Sequence, residues 1–266
     1  MIARFDRQLT LPGFPADAQL RLRNATALIA GVGGVGGAAA TYLAAAGVGR
    51  LVLLHPGPLE LPDLNRQTLM RPEWLGRSRA DCAADTLAAH YPDVEIVALT
   101  EGVDESSTGR WLQETTIALD CRHNFPERFL LNELCVRTGV PYVFAAMNAG
   151  EGHVTVVRPR RTACLRCLFV EGDPAWEPLG FPVLGAVAGT VGTLAALEAV
   201  KVLSGWGLPL YGRLLVMDLS DATFHSYRTQ RDPACPVCGD RQRPRDQVLV
   251  AQPLRYNTTL QRRQRS

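Results

Sequence analysis

The chain has 266 residues, 47% of them apolar, and a formal net charge of +2. Length and apolar share suffice for one large α/β domain, or for a domain with a small appendage. The near balance of charge excludes a strong electrostatic partner such as a nucleic acid; almost all the positive charge is arginine, and Lys201 is the single lysine.

The opening residues, Met1–Gln8, carry Arg4, Asp6 and Arg7 and lack the apolar region of a secretory signal. Ala27–Ala30 then reads as a strand, Gly34–Ala46 as a helix and Leu51–Leu54 as a second strand. Asp63 reads as the N-cap of a short helix over Leu64–Leu69. Arg79–His90 has helical spacing, Val94–Ala98 and Thr116–Leu119 are short β-rich runs, Glu127–Thr138 is helical, and Pro141–Ala145 is a further strand. This alternation predicts a Rossmann-like, mostly parallel sheet with helices on both faces.

After Gly150 the character changes. Gly152–Arg158 is strand-like, Leu184–Leu203 helical, and Arg213–Leu219 and Thr223–Tyr227 read as late antiparallel strands. The apolar stretch Leu179–Leu203 contains several glycines together with Glu198 and Lys201, so a buried helix suits it better than a membrane span. A single domain over 1–240 follows, with a nucleotide-binding part at about 25–148 and a second part at about 149–240; the polar, arginine-rich 241–266 reads as a disordered tail.

Two local motifs carry chemistry. Gly31-Val32-Gly33-Gly34-Val35-Gly36 matches G-x-G-x-x-G between a strand and a helix. Glycines there permit a tight turn and let backbone N–H groups approach phosphates at the positive end of the helix. Such units usually place an acid at the end of the second strand to hold a ribose, but here the strand runs into His55-Pro56-Gly57. The second motif is a pair of CxxC turns, Cys164–Cys167 and Cys235–Cys238. Four thiolates suit one tetrahedral Zn2+ with no open coordination position, so the metal would be structural. Seven cysteines without an export signal point to a reducing compartment, the cytoplasm, and to metal or thiol roles rather than disulfides.

With Arg4-Phe-Asp-Arg7-Gln8, the glycine turn, Asp63-Leu64-Asn65-Arg66-Gln67, Leu75-Gly-Arg-Ser-Arg79, Asp120-Cys-Arg-His123-Asn124, both CxxC pairs and Glu198-Ala-Val-Lys201 in this order, the chain resembles the MoeB/ThiF/HesA family, bacterial relatives of ubiquitin-activating enzymes. The resemblance spans roughly residues 4–240. It implies ATP-dependent adenylation of the C-terminal glycine carboxylate of a small ubiquitin-like sulfur-carrier protein, a homodimer, Mg2+ with the ATP, and a structural zinc. By the same resemblance Gly34 lies at the phosphates, the segment Pro62–Arg66 with Asp63, Leu64 and Asn65 lines the nucleotide, Arg66 and Arg79 contact phosphate, Arg7 serves the other subunit's ATP, and Asn124 flanks the nucleotide. The plainer alternatives are surface arginines at 66 and 79, and an Arg7 paired with Asp6 or Glu60.

The chain departs from the family pattern at three places. His55 stands where the ribose acid is expected, His123 where a second acid helps hold Mg2+, and Arg79 where a lysine binds phosphate. These departures leave two readings open: adenylation is kept, with Asp120 or the nucleotide's own phosphates holding the metal, or the chain is an impaired paralogue that binds carrier or nucleotide as a dimeric scaffold. Asp173–Leu179, ahead of the glycine-rich helix, has no cysteine, and Cys82, Cys121 and Cys135 read as small buried residues, so no covalent thioester step is expected. An NAD-dependent dehydrogenase is the remaining reading of the glycine turn.

Overall fold

The computed structural model describes residues 2–169 and 182–240. The expected tail at 241–266 and the Asp173–Leu179 stretch lie outside the described residues.

Eight strands form one sheet: β1 (Thr26–Ala30), β2 (Arg50–Leu54), β3 (Glu95–Leu99), β4 (Ile117–Asp120), β5 (Tyr142–Asn148), β6 (Glu151–Val157), β7 (Arg213–Asp218) and β8 (Thr223–Arg228). Their spatial order is β3-β2-β1-β4-β5-β6-β7-β8. The first five pair in parallel, with Leu28 opposite Val52 on one side and Ala118 on the other. From β6 on every pairing is antiparallel, in line with the late antiparallel strands expected over Arg213–Leu219 and Thr223–Tyr227. The central strands are apolar through their middles, with Thr26, Arg50 and Asp120 at their ends, because helices cover both faces, the usual condition of a parallel sheet.

The helices are α1 (Asp6–Leu9), α2 (Ala18–Arg23), α3 (Gly34–Ala45), α4 (Arg79–His90), α5 (Ser107–Trp111), α6 (Phe125–Thr138), α7 (Leu165–Leu168) and α8 (Gly185–Ser204). One core joins α3, α4 and α8 to one face of the sheet through Leu43, Leu87 and Val191. A second core packs α6 on the other face through Leu131, Leu134 and Phe144, and takes in Cys164, Cys235 and Cys238. In α8, Gly192 lets the helix meet α3 closely; a Cβ there would fall 2.1 Å from the Val35 carbonyl oxygen.

Among the described residues α8 is the helix long and apolar enough to cross a membrane, yet half of it is buried within the protein. Its two charges serve the fold. The Lys201 ammonium donates to Glu198 at 2.6 Å, and the other Glu198 oxygen accepts from the Leu210 backbone N–H at 2.7 Å.

One expected element is corrected. The Leu64–Leu69 helix is instead a 3-10 turn over Leu61–Asn65. Pro62 favours a helical start earlier than Asp63, because its fixed φ suits the first turn and its missing N–H costs nothing there. Asp63 therefore sits inside the turn rather than at its cap, and its carboxylate reaches back to the Glu60 backbone N–H at 3.1 Å.

Candidate active site

The glycine turn, His55 and the Asp120–Asn124 segment lie together at the C-terminal ends of β1, β2 and β4. Between β1 and β4 the strand order changes direction, which opens the crevice where ligands of doubly wound sheets sit. Backbone bonds knit the three segments: Gly31 N–H donates to Leu54 O at 2.7 Å, Cys121 N–H to Ala30 O at 2.9 Å, and His55 N–H to Leu99 O at 3.0 Å.

The four glycines have different duties. Gly31 has φ +93°, and a Cβ on it would lie 2.6 Å from the Cys121 carbonyl oxygen. A Cβ on Gly36 would lie 1.7 Å from the Gly31 oxygen, so this position closes the turn onto itself. Gly33 is the N-cap residue of α3, and Gly34 opens the helix beneath Ala188 and the Arg66 side chain. The positive end of a 12-residue helix thus faces the crevice.

Asp63 is the hub beside this turn. Its Oδ1 accepts from Gln67 Nε2 at 2.7 Å and from the Arg66 guanidinium at 3.1 Å. Its Oδ2 accepts from Glu60 N–H at 3.1 Å and from Arg79 at 3.5 Å. Arg79 also donates to the Pro56 carbonyl at 2.9 Å, and Arg66 donates to Pro62 O and Asn65 Oδ1. The Arg66 and Arg79 side chains are 15% and 22% exposed, which rules out free surface arginines at both positions. One carboxylate facing two guanidiniums leaves net positive charge at the mouth of the turn, and burial lowers the Arg79 pKa. Leu64 packs partly into the α3 core, and Asn65 is exposed with its amide directed to the Val183 carbonyl at 3.4 Å.

Opposite, Asp120 is 0% exposed and fully engaged by Tyr142 Oη at 2.6 Å, Arg122 N–H at 3.0 Å and Arg128 at 3.2 Å. Burial raises its pKa against the pull of Arg128. Asn124 caps α6, accepting from Glu127 N–H at 2.9 Å and donating to the Glu127 carboxylate. That carboxylate also pairs with Arg122 at 2.7 Å and takes Val103 N–H at 2.8 Å. His123 stands exposed at the rim; partial desolvation and the Arg122 charge lower its pKa.

The expected Mg2+ finds no suitable donor set among these residues. Mg2+ asks for carboxylate oxygens, yet Asp63, Asp120 and Glu127 each hold an arginine already, and positions 55 and 123 are imidazoles. Asp120 in particular is sealed away from any ligand. The local charge is instead cationic, from Arg66, Arg79 and Arg122.

His55 is 6% exposed, and its Nδ1 accepts a hydrogen bond from Val32 N–H at 2.8 Å. Burial, reinforced by Arg79 and Arg122, holds its pKa well below the usual histidine value. His153 is shifted the same way by burial and by Arg128. The folded protein disfavours the charged form of both rings relative to the unfolded chain. Stability is therefore fully present above the unfolded pKa of about 6.5 and declines as pH falls below it, by up to about 1.4 kcal/mol per pH unit for His55. Denaturation midpoints should drop between pH 7.5 and 5.5; constant midpoints over that interval would contradict this assignment.

Arg7 lies elsewhere. It is exposed on α1, which is tied to the far end of α3 by the Gln8 amide donating to Ala46 O at 3.1 Å. The length of α3, roughly 18 Å, separates it from its own glycine turn. Neither Asp6 nor Glu60 pairs with it among the described residues.

The four cysteine sulfurs converge beneath α6, all within 4.8 Å of one another. Cys164 is 4.0 Å from Cys167 and 3.7 Å from Cys235, and Cys167 is 3.4 Å from Cys238. Sulfurs at about 2.3 Å from a tetrahedral zinc stand about 3.8 Å apart, so the cluster fits the ion. It joins the turn after β6 to the turn after β8, and α6 secures the first turn through Asn132 Oδ1 accepting from Leu165 N–H at 2.9 Å. The other three cysteines, 82, 121 and 135, have thiol pKa values raised by burial, the opposite of an activated nucleophile.

Sequence reasoning missed Gln67, which orients Asp63 beneath Gly33, and the Arg122–Glu127 pair. Gln67 ends the marked motif Asp63–Gln67, and Arg122 lies inside Asp120–Asn124, while its partner Glu127 stands three residues beyond that motif.

A glycine turn on a helix N-terminus at a sheet's switch point, ringed by arginines, defines a nucleotide-binding α/β enzyme. The ThiF family model matches residues 5–237, and the chain belongs to that family. It is 48% identical over 239 residues to "Protein HesA" of Leptolyngbya boryana, covering 90% of this chain and 86% of that one. It is 35% identical to the molybdopterin-synthase adenylyltransferase of Escherichia coli K12, covering 89% and 96%. It is 36% identical to the sulfur carrier protein adenylyltransferase of Thermus thermophilus, covering 92% and 93%. Among solved structures, E. coli MccB with AMPCPP and MccA superposes with a TM-score of 0.80 at 22% identity, covering 89% of this chain and 74% of that one. The enzyme class is thus that of the ThiF/MoeB-type adenylyltransferases.

Proposed function

We propose that this protein uses ATP to adenylate the C-terminal glycine carboxylate of a small ubiquitin-like sulfur-carrier protein, in the cytoplasm and as a homodimer. The observation that carries this reading is the pairing of Arg66 and Arg79 on Asp63 at the glycine turn, within a chain so similar to two adenylyltransferases. In the reaction the carrier carboxylate oxygen attacks the α-phosphorus, the bond to the β-phosphate oxygen breaks, and pyrophosphate leaves with the electron pair. No demanding proton transfer is required. What the protein must supply is orientation and positive charge toward the phosphates.

Each group has a matching duty. Backbone N–H groups of Gly33–Gly36 and the start of α3 receive phosphate. Arg66 and Arg79, held by Asp63 in fixed orientations, exchange part of their pairing for phosphate oxygens. The raised thiol pKa values of Cys82, Cys121 and Cys135 support direct release of the acyl-adenylate without a thioester. A second copy is favoured by the position of Arg7, at the far end of α3 from its own turn, and by exposed Leu20, Tyr42 and Leu197 on α2, α3 and α8. The scaffold alternative draws its support from His55 and His123.

Exchange of labelled pyrophosphate into ATP separates the two. The proposed enzyme exchanges only when a carrier ending in Gly-Gly is present, and not with the same carrier lacking its last glycine. Carrier binding without exchange would establish the scaffold reading instead.

A further inference from the structure

We propose that His55 reads the ribose of the bound nucleotide as a hydrogen-bond donor while bracing the glycine turn as an acceptor. This inference rests on the nucleotide-binding reading above and adds to it the way the sugar is recognised.

The geometry fixes which ring nitrogen carries the proton. A backbone N–H is a donor only, so the 2.8 Å bond from Val32 makes Nδ1 of His55 an acceptor. A neutral ring accepting at Nδ1 is protonated at Nε2. The Nε2 atom has no partner among the described residues, and it is not sealed from solvent. The ring is otherwise buried, held by its own backbone bond to Leu99 O and by the end of β2. Its charged neighbours are the guanidiniums of Arg79, Arg122 and Arg66, with the His123 ring also close by, a set that opposes a second proton. The result is a rigid ring, spent at one edge on the turn, offering a single N–H at the other.

The residue just past the second strand of such a unit is the one that faces the ribose. A carboxylate there would accept from the turn and accept from the sugar. Imidazole keeps the first duty and inverts the second. Because a ribose hydroxyl both donates and accepts, it still has a lone pair for Nε2–H. The missing acid is therefore a change in the sign of recognition and not a lost contact.

Two substitutions separate the duties. In His55→Asn the amide oxygen can take the place of Nδ1, but nothing replaces Nε2–H. In His55→Gln the amide nitrogen replaces Nε2–H, but nothing takes the Val32 proton. Affinities for ATP, 2′-deoxyATP and 3′-deoxyATP are measured by titration calorimetry, with Tm measured on the same ligand-free samples. The wild type should prefer ATP to at least one deoxy analogue by about fivefold, the worth of one neutral hydrogen bond. His55→Asn should keep its Tm and lose that preference; His55→Gln should keep the preference and melt lower. A long-range proton–nitrogen spectrum of the ligand-free wild type should show Nδ1 unprotonated.

A wild type that binds ATP and both analogues equally, or a His55→Asn variant that retains the preference, overturns the ribose role. A protonated Nδ1 overturns the bracing role. A wild type that binds no ATP at all brings down the nucleotide reading itself, and the spectrum and the Tm values still decide whether His55 braces the turn.

Discussion

Removal of zinc from the Cys164–Cys167–Cys235–Cys238 cluster is expected to lower the melting temperature sharply. The cluster links two turns separated by about 70 residues of chain, and three of its four cysteines are buried in the core under α6. Without a cation the protein must bury thiols where it held thiolates, and the turn after β8 loses its tie to the turn after β6. Apparent zinc affinities in small domains are on the order of 10–16 kcal/mol. The second core also rests on apolar residues such as Leu131, Leu134 and Phe144, so only part of that is at stake. Even about 4 kcal/mol corresponds to a fall of roughly 8–16 °C for a domain of this size. Metal analysis should return one zinc per chain, and Cys164→Ser should reproduce the loss. A chelated, metal-free protein that melts at the same temperature would refute the assignment.

The second large effect concerns the arginines on Asp63. Arg66→Ala and Arg79→Ala should each cut carrier-dependent turnover by about 10²–10³, the usual cost of removing one group that stabilises charge in a transition state. The loss should fall on kcat more than on KM, because more charge rests on the leaving pyrophosphate oxygen in the transition state than in bound ATP. Arg79→Lys should be milder: the ammonium keeps the charge but gives up the fork that reaches both Pro56 O and Asp63. Alanine variants that turn over at the wild-type rate would mean that phosphate is held by the turn alone.

The parts of this molecule that sequence makes legible are those set by neighbours in the chain. The helix over Arg79–His90 is legible in its spacing, and the structure adds Ser78 as its cap, whose hydroxyl accepts from Asp81 N–H at 3.3 Å. The turn at Gly31–Gly36 and the CxxC pairs are written in spacing, and β7 and β8 as short strand-like runs late in the chain. The short α2 and α5 carry no comparable signal; α5 includes Gly109 and only five residues, and it is held by packing.

At the site the same division holds. Residue types at Arg66, Arg79 and Asp63 were visible, but their convergence was not, because Arg79 meets Asp63 across 16 positions and a turn that begins earlier than expected. Asp120 reads as a possible metal ligand until its partner Tyr142, 22 residues on, is seen to close it off. His55 reads as a defect until Val32, 23 residues earlier, gives it a proton to accept. Each of these depends on a pairing between segments, which periodicity does not encode.

The central claim, that this site still activates a carrier, is tested most directly by the mass of the carrier itself. A Gly-Gly-ended carrier incubated with the protein and ATP should gain one adenylate at its C-terminus, and lose it to an added nucleophile. A carrier that binds the protein yet keeps its original mass would contradict the account.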